Sequence, residues 1–80
     1  MQRLALRKNL IKKIEGLDSC KNITYLELYD NRVKVIENIS HLTKLTVLDL
    51  SFNRIKVLEG LETLVNLEKL FLASNRIKKV

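Results

Sequence analysis

The sequence predicts an α/β solenoid, with short parallel strands on a concave face and 3-10 turns and loops on a convex one. Three observations predict it. Four asparagines, Asn9, Asn31, Asn53 and Asn75, stand 22 residues apart. Apolar residues recur around them at the same period, with no residue inserted or deleted. Just before each asparagine a Leu-x-Leu stretch alternates apolar and variable residues, which is the mark of a strand buried on one side.

The elements follow in order. The first repeat, residues 1–22, sets Met1, Leu4 and Leu6 on a strand, turns at Asn9 and returns through Ile11, Ile14, Leu17 and Cys20. The second, residues 23–44, uses Ile23, Leu26 and Leu28, then Asn31, then Val33, Ile36, Ile39 and Leu42. The third, residues 45–66, uses Leu45, Leu48 and Leu50, then Asn53, then Ile55, Leu58, Leu61 and Leu64. A partial fourth, residues 67–80, runs from Leu67, Leu70 and Leu72 through Asn75 and Ile77 to Val80. A match of this length to L-x-x-L-x-L-x-x-N is the leucine-rich-repeat pattern, so the whole chain reads as one right-handed leucine-rich-repeat solenoid.

Each column has a physical task. One short strand cannot bury its apolar face alone, so strands stack in parallel and pack on the rest of each coil. The asparagine sits where the strand leaves the sheet. Its amide can satisfy the backbone groups that the turn leaves unpaired, and Asn9, Asn31, Asn53 and Asn75 are therefore expected to form a structural ladder. Gly16 and Gly60 share a column with Asn38, which points to a turn with positive φ. Neither end carries a polar cap. The chain opens at a core position and stops inside a repeat, so it is expected to be a fragment of a longer repeat protein, with uncapped ends prone to end-to-end self-association.

Composition narrows the function classes. The single cysteine, Cys20, falls in a core column and reads as a small hydrophobe; the single histidine, His41, falls on the outer face. No second Cys or His is available for a metal site and no Gly-rich phosphate loop is present, so neither enzyme activity nor a cofactor or metal is expected. No apolar run approaches the ~18 residues of a membrane span. Two sequons, Asn22-Ile23-Thr24 and Asn38-Ile39-Ser40, read as chance in a chain without secretory signals. The net charge of +6 is laid out in columns: Arg32, Arg54 and Arg76, then Lys12, Lys34, Lys56 and Lys78, then Glu15, Glu37 and Glu59. Alternating signs predict a solvated, mutually neutralising flank rather than a nucleic-acid site.

What remains is the concave face, built from the residues between the strand leucines. Its columns read Arg3, Tyr25, Val47, Lys69; then Ala5, Glu27, Asp49, Phe71; then Arg7, Tyr29, Ser51, Ala73. Three of the chain's four aromatics, Tyr25, Tyr29 and Phe71, are thus expected to face solvent beside acids, the composition of a protein-binding surface. Phe52, the fourth, stands at the end of a strand, where packing against neighbouring repeats and partner contact are equally compatible with its position. The expected partner-binding set is Tyr25, Glu27, Tyr29, Asp49 and Phe71.

A strict 22-residue unit containing LYDNRVKVIENISHLTKL and LDLSFNRIKVLEGLETLVNL resembles the short, cytosolic leucine-rich-repeat subclass. The run RKNLIKKIEGL, LELYDNRVKVIEN, LDLSFN and LEKLFLASNRIKKV closely resembles the leucine-rich-repeat regulatory subunits of protein phosphatase 1. That resemblance implies a location in nucleus and cytoplasm and a concave face that binds the phosphatase catalytic subunit. It also implies that acidic and aromatic residues of the central column make the contact. Asp49 and Phe71 match that pattern, with Glu27 one repeat earlier. Ciliary or dynein-associated adaptors and a spliceosomal adaptor share the same subclass, and a truncated module with no partner of its own is the remaining alternative.

Overall fold

The computed structural model describes residues 2–7 and 10–77. Met1, Asn9, Lys78 and Val80, to which the repeat register assigns roles, lie outside the described residues.

The expected strands form at the expected places: β1 (Gln2–Ala5), β2 (Ile23–Glu27), β3 (Val47–Asp49) and β4 (Lys69–Phe71). They make one parallel sheet in the order β1-β2-β3-β4. Because the period never slips, equivalent residues pair: Leu4 with Leu26, Leu26 with Leu48, and Leu48 with Leu70. One irregularity occurs between Gln2 and Arg3, at the first strand.

Pairing in register sends every strand leucine to the same side. Leu26, Leu28, Leu48 and Leu50 are buried against Val33, Ile36, Ile39, Leu42 and Ile55 from the returning coils. The second repeat buries its columns fully, whereas Leu58 and Leu61 in the third repeat and Leu4, Leu6, Leu70 and Leu72 in the first and fourth are half-buried. Cys20 is likewise half-buried and packs on the core as a free thiol. Truncating a central leucine such as Leu48 to Ala would cost about 2–5 kcal/mol, since its cavity has rigid walls.

The convex side consists of turns and loops, and no helix occurs among the described residues. Leu42 N–H donates to the Ile39 carbonyl at 2.9 Å, and Leu45 N–H to that of Leu42 at 3.1 Å. The third repeat copies both with Leu64 to Leu61 and Leu67 to Leu64, each at 3.1 Å. These bonds span three residues, so they are 3-10 in spacing but end after a turn. Side chains then tie coil to coil: His41 Nε2–H donates to the Leu17 carbonyl at 2.7 Å and Thr63 Oγ1 to that of Ser40 at 2.8 Å. Only a protonated Nε2 can serve a carbonyl, which gives His41 a structural task on the outer face.

The asparagine ladder is present at Asn31, Asn53 and Asn75. Asn53 Nδ2 donates to the carbonyls of Leu28 and Leu50 at 2.9 Å each, and its Oδ1 accepts from Val33 N–H at 3.0 Å. Asn31 bonds Leu6, Leu28 and Ile11 in the same way, and Asn75 bonds Leu50, Leu72 and Ile55. Each amide thus joins two repeats through groups the turn would otherwise leave unpaired.

The turn column also matches: φ is +78° at Gly16, +60° at Asn38 and +73° at Gly60. A second left-handed column was not legible beforehand. Asp30, Phe52 and Ser74, each preceding a ladder asparagine, have φ of 62°, 60° and 57°.

Candidate protein-binding face

Residues between the strand leucines emerge on the concave side in the expected columns. Arg3, Tyr25, Val47 and Lys69 align, as do Ala5, Glu27, Asp49 and Phe71. The columns are in place, but the side chains do not all face solvent.

Over the first two strands the face closes on itself. The Arg3 guanidinium lies 4.3 Å from the centre of the Tyr25 ring, and that of Arg7 lies 5.1 Å from Tyr29. Both arginines also turn toward Glu27, with nitrogen–oxygen distances of 3.5 Å from Arg3 and 3.9 Å from Arg7. Glu27 is consequently buried, and its Oε1 has no hydrogen-bond partner. Tyr25 and Tyr29 are half-buried beneath the guanidinium groups, and the Tyr29 ring meets Phe52 at 5.1 Å and a tilt of 58°. The expectation of three solvent-facing aromatics therefore holds fully for Phe71 alone. Stacking a guanidinium over an aromatic face is favourable in itself, and the buried carboxylate between the two arginines holds them down.

Over the last two strands the face stays open. Asp49 is half-buried, and its Oδ1 accepts the Ser51 N–H at 3.0 Å, which fixes the carboxylate and leaves its other oxygen without a described partner. Phe71 pairs in register with Asp49 and is 45% exposed, with Lys69 exposed on the same strand. Of the five expected contact residues, Glu27, Tyr25 and Tyr29 are thus engaged within the chain, whereas Asp49 and Phe71 form an unspent acid–aromatic pair. Arg3 and Arg7 were the missing members. Their positions, at the head of the Tyr25 and Tyr29 columns, are the signal that would have found them.

Among the described residues the ion pairs are those of Glu27 with Arg3 and Arg7. Among the described residues, neither Arg32, Arg54 and Arg76 nor Lys12, Lys34 and Lys56 form an ion pair with Glu15, Glu37 or Glu59. The flank is solvated, but it is not neutralised through direct contact. Among the described residues, no group of His, Cys, Asp or Glu is arranged to hold a metal. Among the described residues, no helix is long and apolar enough to cross a membrane.

Comparison with known proteins places this geometry. The family described as Leucine Rich repeats (2 copies) matches residues 21–56 and again residues 43–80. Among solved structures, an internalin from Listeria monocytogenes superposes with a TM-score of 0.85 at 30% identity, over 94% of this chain. The chain spans 22% of the length of that internalin. No curated protein sequence matches. Two overlapping family matches, a parallel sheet in unbroken register and an asparagine ladder agree: the chain belongs to the leucine-rich-repeat family.

Proposed function

We propose that the chain is a protein-interaction scaffold whose concave face binds the catalytic subunit of protein phosphatase 1, in the manner that its resemblance to regulatory subunit 7 of that phosphatase implies. Leucine-rich repeats are typically non-enzymatic interaction modules, and the concave sheet is a rigid surface that needs little ordering on binding. The reading places the protein in nucleus and cytoplasm, with a protein rather than a nucleic acid or a membrane as its partner.

One observation carries the reading: Asp49 and Phe71 stand side by side on neighbouring strands with an exposed ring and an uncommitted carboxylate oxygen. Phe71 would enter an apolar pocket of the partner while Asp49 meets a basic group at its rim. Tyr25, Tyr29 and Glu27, locked by Arg3 and Arg7, act as the flat shoulder of the contact. An aromatic anchor of this kind typically carries 2 kcal/mol or more of binding energy, so Phe71→Ala should weaken association by about thirtyfold.

The test is a titration of the purified phosphatase catalytic subunit against wild type, Phe71→Ala and Asp49→Lys, with circular dichroism on each. Weakened binding by both variants with unchanged spectra supports the reading. Wild-type affinity in both sinks it. Capture of a dynein-associated chain or a spliceosomal RNA-recognition domain in place of the phosphatase would move the partner to the rival adaptors.

A further inference from the structure

A second surface lies at the edge of the sheet where the strands end. After Asn31, Asn53 and Asn75 comes an arginine: Arg32, Arg54 and Arg76. Their N–H groups donate to the carbonyls of Ile11, Val33 and Ile55 at 2.8, 2.8 and 2.9 Å, so three repeats hold one backbone geometry. Stacked repeats place equivalent residues about 5 Å apart, the separation of neighbouring strands. Among the described residues none of the three guanidinium groups forms an ion pair. With Asp30, Phe52 and Ser74 they line a groove of about 520 Å³.

Two properties make this more than a solvated flank. Like charges stacked repeat above repeat repel one another, less so as salt screens them. An anion in the groove would offset that repulsion. The arginine column's central member also has an apolar neighbour, since Phe52 is 45% exposed and held with φ of 60°, a conformation unfavourable for a bulky side chain. Asp30, in the same column as Phe52, is a residue type that tolerates such a turn more readily.

We propose that this groove docks an extended acidic segment of a protein partner, with carboxylates on Arg32, Arg54 and Arg76 and an apolar side chain on Phe52. Guanidinium forks match carboxylates two bonds at a time, which lysines on the neighbouring column cannot do. A single-stranded nucleic acid fits less well. It needs successive aromatic platforms, whereas this groove offers one ring. The surface contains neither Asp49 nor Phe71, meets the concave face where Phe52 touches Tyr29, and does not depend on the phosphatase reading.

The probe is a fluorescein-labelled twelve-residue peptide of glutamates interrupted once by leucine, followed by anisotropy at two salt concentrations. A twelve-nucleotide poly-uridine strand serves as the competing probe. Replacing Arg32, Arg54 and Arg76 together by Gln is expected to weaken peptide binding by about tenfold or more. Replacing Lys12, Lys34 and Lys56 by Gln removes the same charge from the adjacent column and should cost distinctly less. Phe71→Ala should leave the peptide affinity unchanged, even if it abolishes phosphatase binding. Equal losses from the Arg and Lys sets would mean diffuse attraction and overturn the proposal. So would tighter, Arg-dependent binding of the oligonucleotide. If the triple Arg variant loses its circular dichroism signal, Arg54→Glu alone decides: peptide affinity equal to wild type refutes the groove, and a clear loss supports it.

Discussion

The Glu27 carboxylate lies 3.5 Å from the Arg3 guanidinium, but the oxygen nearest that group has no hydrogen-bond partner. The two sides of this pair are unequal. The Glu27 side chain is 9% exposed, whereas those of Arg3 and Arg7 are 56% and 54% exposed. Removing the acid leaves two arginines that rehydrate easily; removing the arginines leaves a buried charge uncompensated. Glu27→Gln is therefore expected to change stability by less than about 1 kcal/mol, while the double change Arg3→Ala with Arg7→Ala should cost about 2 kcal/mol. Urea unfolding of both variants checks the asymmetry, and equal losses would contradict it.

The ladder predicts a sharper effect at Asn53. Its amide is buried in the middle of the stack and serves carbonyls of two repeats as well as the Val33 N–H. Asn53→Ala should cost about 3 kcal/mol, through orphaned backbone groups rather than lost packing. Asn53→Asp should be no better, because it keeps the acceptor for Val33 but faces the Leu28 and Leu50 carbonyls with oxygen. Asn75→Ala, half-buried at the outer repeat, should cost less than either. Thermal unfolding midpoints in that order are the expected result.

The two glycines of the turn column separate backbone strain from crowding. A Cβ at Gly60 would stand 2.8 Å from the carbonyl oxygen of Ile36, whereas at Gly16 nothing lies within 4 Å. Both have positive φ, so both Ala variants carry a conformational cost of about 1–2 kcal/mol. Gly60→Ala alone adds a clash with rigid backbone in the next coil. It should be the more destabilising of the two by at least about 1 kcal/mol, read from denaturant midpoints.

Register is the part of this protein that the sequence carries most completely. Leu26, Leu48, Asn53 and Gly60 could be placed because each repeats a column whose task is backbone geometry or burial, and a period of 22 fixes both. The concave side chains were assigned correct columns but incomplete surroundings. Whether Tyr25 points to solvent depends on the length and charge of Arg3 one strand away, and on the buried carboxylate of Glu27 that draws it down. Those are lateral contacts between variable residues, which no period encodes. The left-handed turn at Phe52 was hidden for a related reason: its column contains Asp30 and Ser74 but no glycine to advertise it.

That turn yields the last prediction. Phe52 combines a φ of 60°, a half-exposed ring and a contact with Tyr29 at 5.1 Å. Comparing two variants separates these contributions, because Phe52→Ala and Phe52→Asn both lose the ring. Alanine keeps a Cβ in a conformation it disfavours, whereas asparagine accepts it readily through a short polar side chain. Phe52→Asn is therefore expected to be more stable than Phe52→Ala by about 1 kcal/mol. The ring contact that both lose contributes about 0.5–1.5 kcal/mol, so the Asn variant should lie close to wild type. Equilibrium unfolding in urea measures both differences. If Ala and Asn prove equally stable, the left-handed backbone is not strained by its side chain, and Phe52 is held by packing alone.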